Sequence, residues 1–175
     1  MKGRFCLASI LIIAGTAVAS TGFASRAIAG TATSPLTVSA TVPANCLIST
    51  TPATFGNYDP IGTNASNALG VATGRATTTC TTGAAAIITL GQGLNPATGS
   101  TEATPIRQMA SGTNRLTYQL DKTAGGGNWG NTSATGVNTT GTGSAVQQTV
   151  FGVILPAQNV PAGTYTDTVV ATVTF

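Results

Sequence analysis

From residue 30 to residue 175, apolar and polar positions alternate with a period of two in run after run, and no stretch carries a helical period. The clearest run closes the chain. Tyr165, Asp167, Val169, Ala171, Val173 and Phe175 alternate with Thr166, Thr168, Val170, Thr172 and Thr174. β-Branched and aromatic residues at that spacing predict a half-buried strand, its mainly apolar face inward (Asp167 apart) and its Thr face toward water. With Phe175 closing the sequence, the expectation is that no segment turns back over this strand. A sheet edge ending in that way is free to pair with another chain. The expectation is a protein completed by a partner's strand.

The other elements are shorter. Leu36, Val38, Ala40 and Val42 alternate with Thr37, Ser39 and Thr41, giving a first strand or an extended arm that Pro43-Ala44-Asn45 breaks. Residues 46–49 form a second run, and 54–60 read as a strand end entering a turn within a loop over 57–72. Further strands are predicted over 75–81, 85–90, 115–121 and 146–155. Residues 91–103 read as a loop, and the Gly/Thr/Asn-rich stretch 122–144 as a long hairpin connection. Residues 156–163 turn into the last strand. Many short strands with Gly, Pro and Asn turns predict an all-β sandwich in one domain.

The N-terminus changes the electrostatic picture. Met1-Lys2-Gly3-Arg4 is basic, residues 5–18 are apolar, and small residues lead to Ala27-Ile28-Ala29. That pattern reads as a cleaved secretory signal over residues 1–29, with Gly22-Phe23-Ala24 as a second possible cleavage site and an uncleaved anchor as the alternative. The apolar stretch falls short of the roughly 20 residues of a membrane span. The formal charge of +3 includes Lys2, Arg4 and Arg26; beyond them, Arg75, Arg107, Arg115 and Lys122 face Asp59, Glu102, Asp121 and Asp167. The exported part is therefore neutral, which gives no support for nucleic-acid binding and favours association over repulsion. Cys46 and Cys80 remain once Cys6 leaves with the signal, and two cysteines in an oxidising compartment are expected to pair.

Chemistry has few candidates. The chain contains no His for general-base work, and pairing would leave no free Cys nucleophile. Two thiolates do not complete a zinc site. Asp59, before Pro60, reads as a turn former; Asp167 as a hydrogen-bonded rim residue. Gly125-Gly126-Gly127-Asn128-Trp129-Gly130 formally fits G-x-G-x-x-G, but no helix is predicted after it to aim N–H groups at a phosphate. Trp129 either folds onto the sandwich or offers an exposed adhesive contact. An enzyme is not expected, and neither is a cofactor or a metal.

Two segments resemble a known family. Asn45-Cys46-Leu47-Ile48-Ser49, running on to Phe55-Gly56-Asn57-Tyr58-Asp59-Pro60, is similar to the N-terminal signature of the spore coat protein U domain family. Val160-Pro161-Ala162-Gly163-Thr164-Tyr165-Thr166-Asp167-Thr168-Val169 and the closing Thr172-Val173-Thr174-Phe175 resemble its C-terminal signature, with Phe151-Gly152-Val153-Ile154 like the strand before it. The family includes subunits of archaic chaperone–usher pili of the Csu type. The resemblance implies an incomplete immunoglobulin-like β-sandwich lacking its last strand. It also implies capture by a periplasmic chaperone that lends a strand, export through an outer-membrane usher, and polymerisation with neighbouring subunits by donor-strand exchange.

Residues 30–42 then form the candidate donor arm, offering Leu36, Val38, Ala40 and Val42, and residues 43–175 the sandwich. The candidate acceptor groove and chaperone contact is lined by Val169, Ala171, Val173 and Phe175. The functional expectation is a structural subunit of a surface pilus serving adhesion or biofilm formation. Alternatives are a non-fibrous secreted spore or cell coat protein, and a carbohydrate-binding adhesin module built on the loops around Trp129.

Overall fold

The computed structural model describes residues 28–175. The signal-peptide expectation falls almost wholly on residues 1–27, outside the described residues. Residues 28–40 belong to a unit separate from Thr41–Phe175. Within it they form no regular structure, and Leu36 and Val38 are 86% and 84% exposed.

In the second unit the strands are β1 (Cys46–Thr51), β2 (Leu69–Cys80), β3 (Ala85–Leu90), β4 (Arg107–Ser111), β5 (Asn114–Thr123), β6 (Gly126–Asn128), β7 (Val137–Thr140), β8 (Ala145–Ile154) and β9 (Ala171–Thr174). The helical content among the described residues is one 3-10 turn, Thr63–Ala65. The first sheet runs β1-β2-β8-β5-β4, with β6 added to β5; the second runs β7-β3-β9; every pairing is antiparallel. Period-two alternation turns Leu116, Tyr118 and Leu120 of β5 and Val150 and Ile154 of β8 inward against Ile88 and Leu90 of β3. Gly152, in the same inward row, leaves room for the Phe55 ring: a Cβ there would lie 2.7 Å from its Cζ.

Cys46 and Cys80 stand directly opposite each other in the β1–β2 ladder and form a disulfide. The pair packs with Ala86 and Val173 into a small cluster at one end of the sandwich. Closing a loop of this length restricts the unfolded chain and contributes about 3–4 kcal/mol. Reduction is expected to lower the urea midpoint accordingly. Trp129, the single Trp of the chain and fully buried, supplies the fluorescence readout. An unchanged midpoint under dithiothreitol would show that β1 holds its place without the bond.

Two side chains tie the sheets together. The Trp129 indole donates to Ile88 O at 2.9 Å, and its backbone N–H donates to Leu120 O at 2.8 Å. Trp129 thus folds onto the sandwich, and no exposed face of it is left for an adhesive contact. Arg107 lies fully buried among backbone carbonyls, donating to Gly91 O (2.8 Å), Leu90 O (2.9 Å) and Trp129 O (2.6 Å).

The structure departs from the sequence reading in four places. β2 begins at Leu69, inside the expected loop 57–72, across an irregularity in its pairing with β8 between Leu69 and Ala72. β4 pairs with β5 where no strand was expected, because its most deeply buried inward position is a charged residue, Arg107, with Met109 the apolar one beside it in that row. The stretch 122–144 is more than a hairpin connection: β6 continues the first sheet and β7 joins the second. Gly126-Gly127-Asn128 pairs through its backbone, so no side-chain pattern announces it. The closing strand is regular over Ala171–Thr174 only. Before it, Thr166 exchanges two hydrogen bonds with Ala110 of the first sheet (2.8 and 3.1 Å), so the segment crosses from one sheet to the other.

Candidate functional site

Among the described residues, the sandwich is closed on one flank and open on the other. At the closed flank, the Thr166–Ala110 bridge joins the 160–170 segment to β4. At the opposite flank, β1 ends the first sheet and β9 ends the second, with no ladder between them. The two edges meet around the disulfide and Val173 and then diverge. Between them lies a groove of about 850 Å³, walled by residues 50–58 and 160–171. Its floor is the core itself: Leu90, Leu116, Tyr118, Leu120, Val150 and Ile154.

One wall presents a strand edge. Gly91 N–H donates to Val170 O at 2.9 Å, and β3 pairs with β9 in the register Leu90↔Ala171, Ile88↔Val173. In an antiparallel ladder, residues that exchange bonds with the partner alternate with residues that do not. Even-numbered residues of this segment therefore face β3, and Val169, Ala171 and Val173 turn their N–H and C=O groups toward the open flank. The same odd residues carry the inward side chains, half-buried, whereas Val170 is 66% exposed.

Of the residues grouped from the sequence, Val169 and Ala171 line the groove. Val173 lies at its closed end on the disulfide cluster. Phe175 is 53% exposed and sits beside Ala85, Ile87 and Thr140, away from the groove. Period-two alternation breaks at the chain end, where no pairing holds it. In the second unit Val42 is exposed, and Asn45 is fixed by Thr81, whose N–H donates to Asn45 O at 2.9 Å and whose Oγ1 accepts from Asn45 N–H at 3.1 Å.

The sequence reading assigned no site role to Phe55, Tyr58, Tyr118 or Tyr165, yet all four line the groove. Tyr118 and Tyr165 fall on inward positions of predicted strands, and Phe55 and Tyr58 lie in the turn segment 54–60; their aromatic character was the available signal. The Tyr58 hydroxyl donates to Leu155 O (3.1 Å) and accepts from Gln158 N–H (3.0 Å). The Gln158 side chain in turn pairs with both backbone groups of Thr117, at 2.6 and 2.8 Å, extending the sheet with an amide side chain. Buried Asn64 accepts from Asp59 N–H and, through its carbonyl, from Ala157 N–H. Asp59 is a turn former, its Oδ1 accepting from the N–H groups of Ile61 and Gly62. These bonds fix residues 58–64, which anchor the end of the 50–58 wall.

Titratable groups cluster at the end near Leu90. Burial pushes the Tyr118 phenol far up from its ordinary value, and its hydrogen bond to Asp167 acts in the same direction, so it remains a donor. Burial pulls the Arg107 guanidinium down, while Tyr118, Asp167, Asp121 and Glu102 oppose that shift. Among the described residues, no three His, Cys, Asp or Glu side chains are placed to hold a metal ion, and no helix is long and apolar enough to cross a membrane.

The fold is an immunoglobulin-like β-sandwich with one open flank. A family model of the Spore Coat Protein U domain matches residues 32–172, and the chain belongs to that family. Protein U of Myxococcus xanthus is 47% identical over 175 residues, covering 94% of this chain and 96% of that protein. Among solved structures, the chain is similar to one in the chaperone–tip adhesion subunit pre-assembly complex CsuC–CsuE, from archaic chaperone–usher Csu pili of Acinetobacter baumannii. That match has a TM-score of 0.53 and 24% identity, covers 77% of this chain, and spans 40% of the matched chain's length. At this identity the likeness concerns the fold.

Proposed function

We propose that this chain is a structural subunit of a bacterial surface pilus, completed by a strand from another chain. The observation that carries the reading is the open groove: its floor is the hydrophobic core, and one wall is a strand edge left unpaired among the described residues. Such a site suits strand addition, in which backbone hydrogen bonds give affinity and alternate side chains fill pockets. In the periplasm a chaperone lends the strand. After passage through an outer-membrane usher, the arm 30–42 of a neighbouring subunit replaces it. Leu36, Val38, Ala40 and Val42 have the required spacing, and burying them contributes on the order of 4–10 kcal/mol. Val169, Ala171 and Val173 form the receiving edge. Fibres of this kind would serve adhesion or biofilm formation.

A second reading, a non-fibrous secreted coat protein, draws on the family's description and on the near full-length match to Protein U. Deleting residues 30–40 separates the two. The pilus reading expects chaperone co-purification to persist while polymer ladders and fibres disappear. Normal fibres from the deletion would remove the donor assignment. Unaltered surface deposition with no fibre in either form would favour the coat.

A further inference from the structure

Asp167 is the single charged residue on the inward face of the closing segment, and it lines the groove. Three separate pieces of chain meet at its carboxylate. Oδ1 accepts from Leu94 N–H (2.9 Å) and from Asn95 Nδ2 (3.4 Å), both in the loop after β3. Oδ2 accepts from the hydroxyl of Tyr118, on the groove floor, at 2.6 Å. Gly93 admits the carboxylate: its φ is +84°, and a Cβ there would come within 2.2 Å of Oδ2.

We infer that Asp167 is a positioning residue for strand uptake, latching the 165–170 wall to the groove floor before a strand arrives. The inference rests on the strand-addition reading and specifies how the receiving edge is kept ready. Between the Thr166–Ala110 bridge and the Gly91–Val170 bond, the wall has no strand neighbour on its groove side. Over that interval, the Asp167 hydrogen bonds join wall to floor alongside the packing of Val169 on the core. A receiving site that must first order itself binds more slowly, in proportion to the time it spends unformed. Contacts made once the strand is seated do not change, so the dissociation rate should stay the same.

The test uses the full-length protein and a fluorescent synthetic peptide of residues 30–45 as the incoming strand, with association and dissociation followed separately by anisotropy. Tyr118→Phe removes one hydroxyl and keeps the ring that meets Phe55 edge-on at 6.2 Å. Asp167→Asn keeps the shape and loses the charge. Both are expected to slow association about tenfold, with dissociation unchanged. Hydrogen exchange at the Leu94 amide should accelerate in both variants. Unchanged association, or dissociation altered as much as association, overturns the inference. So does an unaltered Leu94 exchange rate, which leaves the strand-addition reading standing. Failure of the unsubstituted protein to take up any peptide overturns that reading, and the latch with it.

Discussion

Arg107→Met is expected to lose about 3 kcal/mol or more of stability, because two buried carbonyls and one half-buried one would lose their donor at roughly 1–3 kcal/mol each. Leu90 O and Gly91 O belong to the second sheet and the loop that leaves it, while Arg107 belongs to the first sheet. Trp129 O, the third acceptor, sits between them. The guanidinium fork serves all three from one side chain, and Met fills much of the same space without a donor. A complete domain has about 5–15 kcal/mol in total, and one lacking a strand has less to spare. In urea the midpoint should fall by about 1–2 M, read by Trp129 fluorescence. Arg107→Lys should lie between the two, since an ammonium keeps the charge but cannot span the same fork. A midpoint for Arg107→Met close to that of the unsubstituted protein would mean that water or a neighbouring donor replaces the guanidinium.

Arg107 also illustrates where sequence reasoning stops. Strands with an apolar inward row, such as β3, β5 and β8, are legible because period-two burial writes itself into side-chain chemistry. β4 is not, because a charged residue occupies its buried row and the partners that make this tolerable are carbonyls 16 to 22 residues away in sequence. β6 escapes for the opposite reason: two glycines carry no pattern at all. The disulfide is legible from two cysteines and an N-terminal pattern that reads as an export signal. The aromatic floor and walls of the groove are not, since Phe55 with Tyr58, Tyr118 and Tyr165 come from three distant segments that only the fold assembles. The open flank was foreshadowed by the apolar closing strand. Its true wall lies further upstream than alternation indicates, because the chain crosses between sheets at Thr166 before β9 begins.

Sidedness along that wall yields the sharpest functional expectation. Val169→Asp should abolish chaperone capture and fibre formation, whereas Val170→Asp, one residue on, should leave both nearly intact. Val169 faces the groove and packs on the core; Val170 is 66% exposed on the outer face. A carboxylate placed in an apolar site without a partner costs several kcal/mol, about the size of the whole hydrophobic gain expected from the proposed donor arm. The same charge on the solvent face is hydrated and costs little. Phe175→Asp, which simple alternation groups with the groove, should behave like Val170→Asp, because Phe175 is half-exposed beside Ala85 and Thr140. Periplasmic levels, chaperone co-purification and polymer ladders distinguish the three variants. If Val169→Asp loses stability before any strand is offered, Val169→Ala keeps the question open to measurement, with weakened capture and a soluble, disulfide-bonded subunit as its expected result. Equal effects at 169 and 170 would mean that the strand edge is not read by its inward side chains. Strand addition through this groove would then be the wrong account of how the subunit is completed.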